Sequence, residues 1–375
     1  MSPSGLEIFQ PAGSNNMLTM ICNLEFLLNA YRLARRDNRY KRQSCKFDLY
    51  LEENLLRLKW DLETNRYTPS PYTYFIVKDP KTRHVAAPKF RDRVFQHALV
   101  AVIEPLFDRT FIEDAYACRK GKGTHFAMHR MKKFLQAARS ISGKDTPIYI
   151  LQCDISKFFP SVSWDILISL IQKKINDPKV RSIIIKIITM HEGLLANGKA
   201  SPIPKEIIST RERKGLPIGN LTSQLFANVY LNQLDHFVKE NLRERWYGRY
   251  MDDFFIISPD SKHLVKIREK IRDFARDTLG LTLHPNKSTI SNVKNGVAFV
   301  GYRVFYDHVL IRACTLLRYE RKLRKKQKLV HSGRIKEEEL LRMQNSFAGH
   351  LQYANAWNLK NILLKPLFSD QNVPC

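Results

Sequence analysis

Arg249-Tyr-Met-Asp-Asp-Phe254 is the stretch on which the reading of this chain turns. Two adjacent carboxylates, Asp252 and Asp253, sit between the apolar segments Trp246–Met251 and Phe254–Ile257. On a strand alone, neighbouring side chains point to opposite faces. In a tight hairpin turn both stand at the tip, where their mutual repulsion is costly without cations. Phosphoryl transfer supplies a reason to accept that cost. Divalent cations held by carboxylates stabilise the attacking 3′-hydroxyl and the leaving pyrophosphate together. Asp-Asp is also common in solvated turns, so the pair alone leaves both readings open.

A second carboxylate site lies upstream, in Ile148-Tyr-Ile-Leu-Gln-Cys-Asp-Ile-Ser-Lys-Phe-Phe-Pro160. An apolar strand delivers Asp154 at its C-terminal end, where rigid scaffolds present catalytic groups. An N-capping aspartate followed by core phenylalanines, Phe158 and Phe159, would read the same in isolation. The two sites together are harder to dismiss.

Around them, Leu51, Leu55, Leu56, Leu58 and Leu62 recur at helical spacing, and helices are predicted over 18–66. The run from Tyr31 to Lys46 is strongly basic, either a solvated helix face or a backbone-contacting patch. Two β-prone runs, Tyr72–Lys78 and His84–Ala87, flank Asp79-Pro80 and predict a hairpin. Helices are expected over 89–108, 123–140, 161–195, 222–244 and 262–279, with a basic loop over 196–214. Strands are expected at 147–153, 246–250 and 254–258, and short ones over 281–311. Helices follow at 315–329 and 337–364. This order suits a small antiparallel sheet with helices on one face. His97 and His125 read as core or helix histidines before functional ones.

The chain has 375 residues, 62 Lys+Arg against 36 Asp+Glu, and a net charge of +26. Its hydrophobic content of 44% is that of a globular chain. So large a positive surplus repels itself, and a polyanion such as nucleic acid would relieve it. The six cysteines form no Cys-x-x-Cys pair and suggest reduced, mostly buried thiols. No apolar run is long enough to span a bilayer, and Met1–Gly13 lacks a signal-peptide layout, so a cytoplasmic location and no membrane partner are expected.

Tyr250-Met-Asp-Asp253 resembles the catalytic box of reverse transcriptases, and Asp154 to Phe159 resembles their first palm box. The resemblance implies an α+β right-hand polymerase with fingers, an antiparallel-sheet palm and a helical thumb. It implies an N-terminal helical extension over 1–70, fingers over 71–145, palm over 146–305 and a basic thumb over 306–375. Asp154, Asp252, Asp253 and the Ile155 carbonyl would then hold two Mg²⁺ ions, with Mn²⁺ a possible substitute. Phe159 would be the steric gate against a 2′-hydroxyl, a clash that favours dNTPs. The hairpin cations Lys78 and Arg83 would hold the triphosphate. Lys287, in Leu281-Thr-Leu-His-Pro-Asn-Lys287, would protonate the leaving pyrophosphate.

Phe90–His97 and Asp114–Thr124 resemble the first two fingers boxes, with Arg119, Lys120 and Lys122 facing nucleic acid. Phe299-Val-Gly-Tyr302 resembles the primer grip, giving Gly301 and Tyr302 a nucleic-acid role. The thumb cations Arg318, Arg321, Lys322, Arg324, Lys325, Lys326 and Lys328 would track the duplex backbone, sequence-blind and salt-sensitive.

Gly215-Leu-Pro-Ile-Gly-Asn-Leu-Thr-Ser-Gln224 narrows the resemblance. Most reverse transcriptases have Gln where this chain has Ile218 and Pro where it has Gln224. Ile218-Gly219-x-x-x-Ser223-Gln224 is similar to the polymerases of diversity-generating retroelements, which are bacterial or phage-encoded. That implies an error-prone enzyme, most so opposite template adenine. It would copy a structured template-repeat RNA from a primer into cDNA for targeted gene diversification, beside a small basic ring-forming accessory protein. Beyond the thumb, no nuclease, long maturase extension or RNase H carboxylate set is read in the given residues. The alternatives are another bacterial reverse transcriptase (group II intron-like, retron or defence-associated) and a non-catalytic RNA-binding protein with a polymerase fold.

Overall fold

The computed structural model describes residues 17–36, 38–78, 81–143, 145–196 and 213–356. Most of the expected 196–214 loop, the Asp79-Pro80 turn and the helix expected beyond 356 lie outside the described residues. In chain order the elements begin with helices α1 (Met17–Ile21), α2 (Leu24–Arg35), α3 (Arg42–Leu49) and α4 (Leu51–Glu63). The hairpin β1 (Thr73–Val77) and β2 (Arg83–Ala87) precedes helices α5 (Phe90–Asp108) and α6 (Thr124–Ser142). Strand β3 (Tyr149–Asp154) leads to helices α7 (Phe158–Ser161), α8 (Trp164–Gln172), α9 (Pro178–Ala196) and α10 (Leu221–His236). Then come strands β4 (Tyr247–Tyr250) and β5 (Asp253–Ser258), helix α11 (Ser261–Leu279), and strands β6 (Thr289–Asn292), β7 (Val297–Phe299), β8 (Tyr302–Val304) and β9 (Val309–Ile311). Helices α12 (Ala313–His331) and α13 (Glu337–Leu351) follow.

The chain packs into two compact units, each made of three segments. The first takes Met1–Glu113, Asp154–Arg243 and Lys270–His284. Its core is organised by α5, where Val94, Phe95, Ala98, Leu99 and Ile103 have no exposed surface. Tyr67 donates to the buried Asp92 at 2.9 Å, so the carboxylate is satisfied rather than stranded. The expected helix over 161–195 is two helices, because Asp177 accepts from Lys179 N and Val180 N and starts a new one. α10 stops at His236 and passes into one π turn, Phe237–Asn241, where the sequence reading carries a single helix to 244.

The second unit takes Asp114–Cys153, Glu244–Glu269 and Pro285–Cys375. Besides the expected β1-β2 hairpin of the first unit, the single small antiparallel sheet expected is two sheets among the described residues, a four-stranded β4-β5-β3-β6 and a three-stranded β7-β8-β9. Gly296 (φ +73°) and Gly301 (φ +92°) turn the chain at the margins of the short strands. Phe134, Ile150, Phe255, Phe299, Tyr302 and Val304 share the core of this unit. α13 ends at Leu351, short of the expected 364, because Asn355 turns back on β9 and bonds Val309 through both its backbone and side chain. Cys22 and Cys153 are buried, but Cys45, Cys118 and Cys314 are exposed, so mostly buried thiols are not found among the described residues. Leu56 is likewise exposed, one position off the stripe formed by Leu55, Leu58 and Leu62. Among the described residues no helix is long and apolar enough to cross a membrane.

Candidate active site

Asp252 and Asp253 stand where the sequence places them, at the turn of an antiparallel hairpin that pairs Tyr250 with Asp253. Met251, at φ +56°, turns the chain in the left-handed region. The hairpin is held from beneath by Arg249, which is 1% exposed and donates from Nη1 to the Met251 carbonyl at 3.0 Å. Arg249 N also donates to Asp114 O, and Tyr116 N to Arg249 O, each at 2.9 Å. Asp114 in turn accepts from Arg130 Nε at 2.7 Å and Nη2 at 2.9 Å, a bidentate pair that fixes this support. A Cβ at Gly248 would stand 2.6 Å from Tyr116 Oη, so only glycine fits under the hairpin. Asp252 is half-buried and Asp253 exposed.

Asp154 is the last residue of β3, the strand next to β5 in the four-stranded sheet. Its carbonyl accepts from His284 N at 2.7 Å, and Ser156 N donates to Thr282 O at 2.8 Å. Neither bond uses the Ile155 carbonyl, and the Ile155 side chain is buried. Carboxylates are the hard oxygen donors that suit Mg²⁺. Among the described residues, however, no three His, Cys, Asp or Glu side chains gather closely enough to hold a metal ion.

The expected nucleotide-side residues fall within the first unit. Lys78 and Arg83 are exposed at the turn end of the β1-β2 hairpin, where Val77 pairs with Arg83. Phe159 is half-buried, and its carbonyl accepts from Leu216 N at 2.8 Å. That bond brings the Gly215–Gln224 box to the first palm box. Ala86 N donates to Ile218 O at 2.8 Å, so β2 and the Ile218-Gly219 turn form one piece. Asn220 Nδ2 donates to Tyr72 Oη at 2.6 Å and ties the start of α10 to the same hairpin. Gln224 is exposed on α10.

In the second unit Lys287 is exposed in the turn before β6. Lys120 is exposed, Arg119 donates to Ala115 O at 2.9 Å, and Lys122 lies 4.3 Å over the Phe126 ring. On α12, Arg321, Lys322, Arg324, Lys325 and Lys328 are exposed and Arg318 is half-buried. Lys326 is 3.5 Å from Glu339. Tyr302 departs from the expectation. It has no exposed surface, and its hydroxyl bonds His350, so its ring faces the core and not a nucleic acid. Gly301, at φ +92°, is half-buried beside it. Arg249, Asp114 and Arg130 were not singled out from the sequence as site residues. Their one signal is that Asp114 opens a fingers-like box.

Residues 76–304 match the family described as reverse transcriptase (RNA-dependent DNA polymerase). The chain belongs to the reverse transcriptase family. Its enzyme class is RNA-directed DNA polymerase, and its helices with antiparallel sheets are consistent with a right-hand polymerase fold. This reverse transcriptase is 26% identical over 281 residues to the protein YkfC of Escherichia coli, covering 66% of this chain and 70% of that protein. It is 27% identical over 194 residues to the group II intron-encoded protein LtrA of Lactococcus lactis, covering 51% of this chain but only 29% of LtrA. An apo telomerase from Candida tropicalis, truncated of its C-terminal domain, is similar at a TM-score of 0.45 and 12% identity, covering 69% of this chain and 60% of that one.

Proposed function

We propose that this reverse transcriptase copies a structured RNA into cDNA with low accuracy, above all opposite template adenine, to diversify a target gene. The observation that carries this is the seat of Ile218. Its carbonyl accepts from Ala86 N of the hairpin that bears Lys78 and Arg83, which supports a seat for Ile218 beside the residues read as holding the nucleotide. A glutamine here would hydrogen-bond the sugar of the incoming nucleotide, whereas isoleucine only packs. Losing about 1–3 kcal/mol of discrimination raises errors roughly ten- to hundredfold.

In this reading Asp154, Asp252, Asp253 and the Ile155 carbonyl hold Mg²⁺, or Mn²⁺ in its place. When bound, the cations supply neutralisation of the charge that develops on the reacting phosphate. Lys78 and Arg83 hold the triphosphate of the dNTP, Phe159 excludes a 2′-hydroxyl, and Lys287 gives a proton to the leaving pyrophosphate. The α12 cations follow the template–cDNA backbone. A small basic ring-forming protein assists, and because both proteins are basic, RNA bridges much of their contact.

The likeness to a group II intron-encoded protein favours a second reading, an accurate enzyme of another bacterial lineage. Primer extension by the purified chain on a defined RNA, with Mg²⁺ and dNTPs, separates the two once the products are sequenced. Substitutions concentrated opposite adenine, and fewer of them in Ile218→Gln, support the diversifying enzyme. Equal accuracy on all four template bases leaves the polymerase and removes the diversifying role.

A further inference from the structure

Between Asp154 and Phe159, in the first unit, the chain offers solvent one charged side chain. Ile155 and Phe158 are buried, Ser156 is half-buried with its N–H on Thr282 O at 2.8 Å, and Lys157 is exposed. Lys157 sits at φ +45° and ψ +46°, the left-handed conformation that side chains rarely adopt. Glycine or asparagine is the ordinary choice there. The turn is nonetheless well held, because the Lys157 carbonyl accepts from Ser161 N at 3.1 Å and from Ser161 Oγ at 3.0 Å. Strained residues that persist in this way cluster at ligand clamps and active sites. Met251, directly before Asp252, is another left-handed residue that is not glycine.

No protein partner accounts for the cation. Among the described residues no carboxylate pairs with the Lys157 ammonium, and its side chain stands in solvent. Its neighbours in sequence do account for it. Asp154, three residues before, is read as holding a cation that grips the phosphates, and Phe159, two residues after, as lying under the sugar. A triphosphate that links sugar to cation runs past the residues between them, and Lys157 is the exposed one of those four. Across three residues the Asp154 and Lys157 backbones are at most roughly 11 Å apart. A solvated lysine gains nothing from a left-handed backbone, whereas a phosphate ligand offsets its cost.

We propose that Lys157 holds the triphosphate of the incoming nucleotide, as a third cation in addition to Lys78 and Arg83. This rests on the polymerase reading and adds a residue to that same site. Lys78 and Arg83 come from a hairpin, whereas Lys157 comes from a turn fixed by Ser161 and flanked by the Ser156–Thr282 bond. Its charge is therefore in place before the nucleotide arrives.

Lys157→Gly tests it with little risk to the fold, since glycine takes φ +45° freely. Three quantities are measured on the full chain: KM for dNTPs in primer extension, Kd for the primer–template, and the rise in melting temperature caused by inorganic triphosphate without metal. Lys157→Gly and Lys157→Gln are expected to raise KM about tenfold, with the primer–template Kd changed by less than about twofold. Both should shrink the rise caused by inorganic triphosphate, and Lys157→Arg should restore most of it. Without ligand, Lys157→Gly should melt with the unaltered protein, because relief of strain offsets the greater freedom of its unfolded chain. Unchanged KM and an unchanged triphosphate response, with normal extension, overturn the role of Lys157 and leave the polymerase. Weaker primer–template binding at unchanged KM also overturns it, by putting the cation on the strand. A KM rise that Lys157→Arg does not relieve, with a lower melting temperature, makes Lys157 structural and overturns it too. A protein that extends no primer, yet loses its triphosphate response in Lys157→Gly, keeps the phosphate site and overturns the polymerase reading.

Discussion

Gly219 stands against Val85 so closely that a Cβ on it would reach Val85 Cγ1 at 2.8 Å and Ala86 O at 3.1 Å. Its φ of +113° is also one that side chains rarely adopt. Gly219→Ala is therefore expected to push the hairpin off the Ile218 turn. The strain is about 1–3 kcal/mol, read as a lower melting temperature. It should also raise KM for dNTPs, because Lys78 and Arg83 move with the hairpin. An unchanged KM would separate the hairpin from nucleotide binding.

Arg249→Ala should be costly because the side chain is buried, at 1% exposure. It removes the donor that closes the Asp252–Asp253 turn and leaves a void beneath it. A stability loss of about 2–4 kcal/mol is expected in denaturant unfolding. Displacing the two carboxylates by ~1 Å should slow primer extension roughly a hundredfold. Arg249→Lys restores charge but not the fork, and should rescue only in part.

Asp154→Asn, Asp252→Asn and Asp253→Asn are each expected to reduce extension by roughly a hundredfold or more while RNA binding persists. Chelation by EDTA should abolish extension, and added Mg²⁺ or Mn²⁺ should restore it in the unaltered enzyme alone. A variant that extends at the normal rate would remove that aspartate from the cation site.

Acid should loosen the protein before carboxylates titrate. His97 is pushed below 6.5 by burial and Arg93, His125 by burial and His129, and His350 by burial and His125. As pH falls below 6.5, the unfolded chain takes up protons that the folded one resists. Stability is thus full above that value and is lost on the way down to the depressed folded values. Melting temperatures from pH 8 to pH 5 should show the decline, with a shallower slope in His350→Phe. An equal slope in that variant would take His350 out of the effect.

Much of this was legible locally. The β-prone runs Tyr72–Lys78 and His84–Ala87 around Asp79-Pro80 gave the β1-β2 hairpin, and apolar flanks around Asp252-Asp253 gave β4 and β5. What stayed hidden depends on partners distant in sequence. A charged residue in a strand is usually exposed, so nothing marked Arg249 as 1% exposed. Met251 takes φ +56° with no glycine to announce it. Tyr302 reads as a grip residue until β8 turns it inward onto His350. His125 looked like an ordinary helix histidine because Tyr353, its stacking partner, lies at the far end of the chain.

The braiding of three separate segments into each unit bears on how the molecule is made. The first unit cannot close until His284 has left the ribosome, and the second still needs the strands and helices that follow. Strand β3 emerges long before β5 and β6 exist to pair with it, so its edges stand open during synthesis. Both units are therefore completed late, through contacts between remote segments, which favours slow folding and reliance on chaperones. No single cut in the gene yields either unit whole.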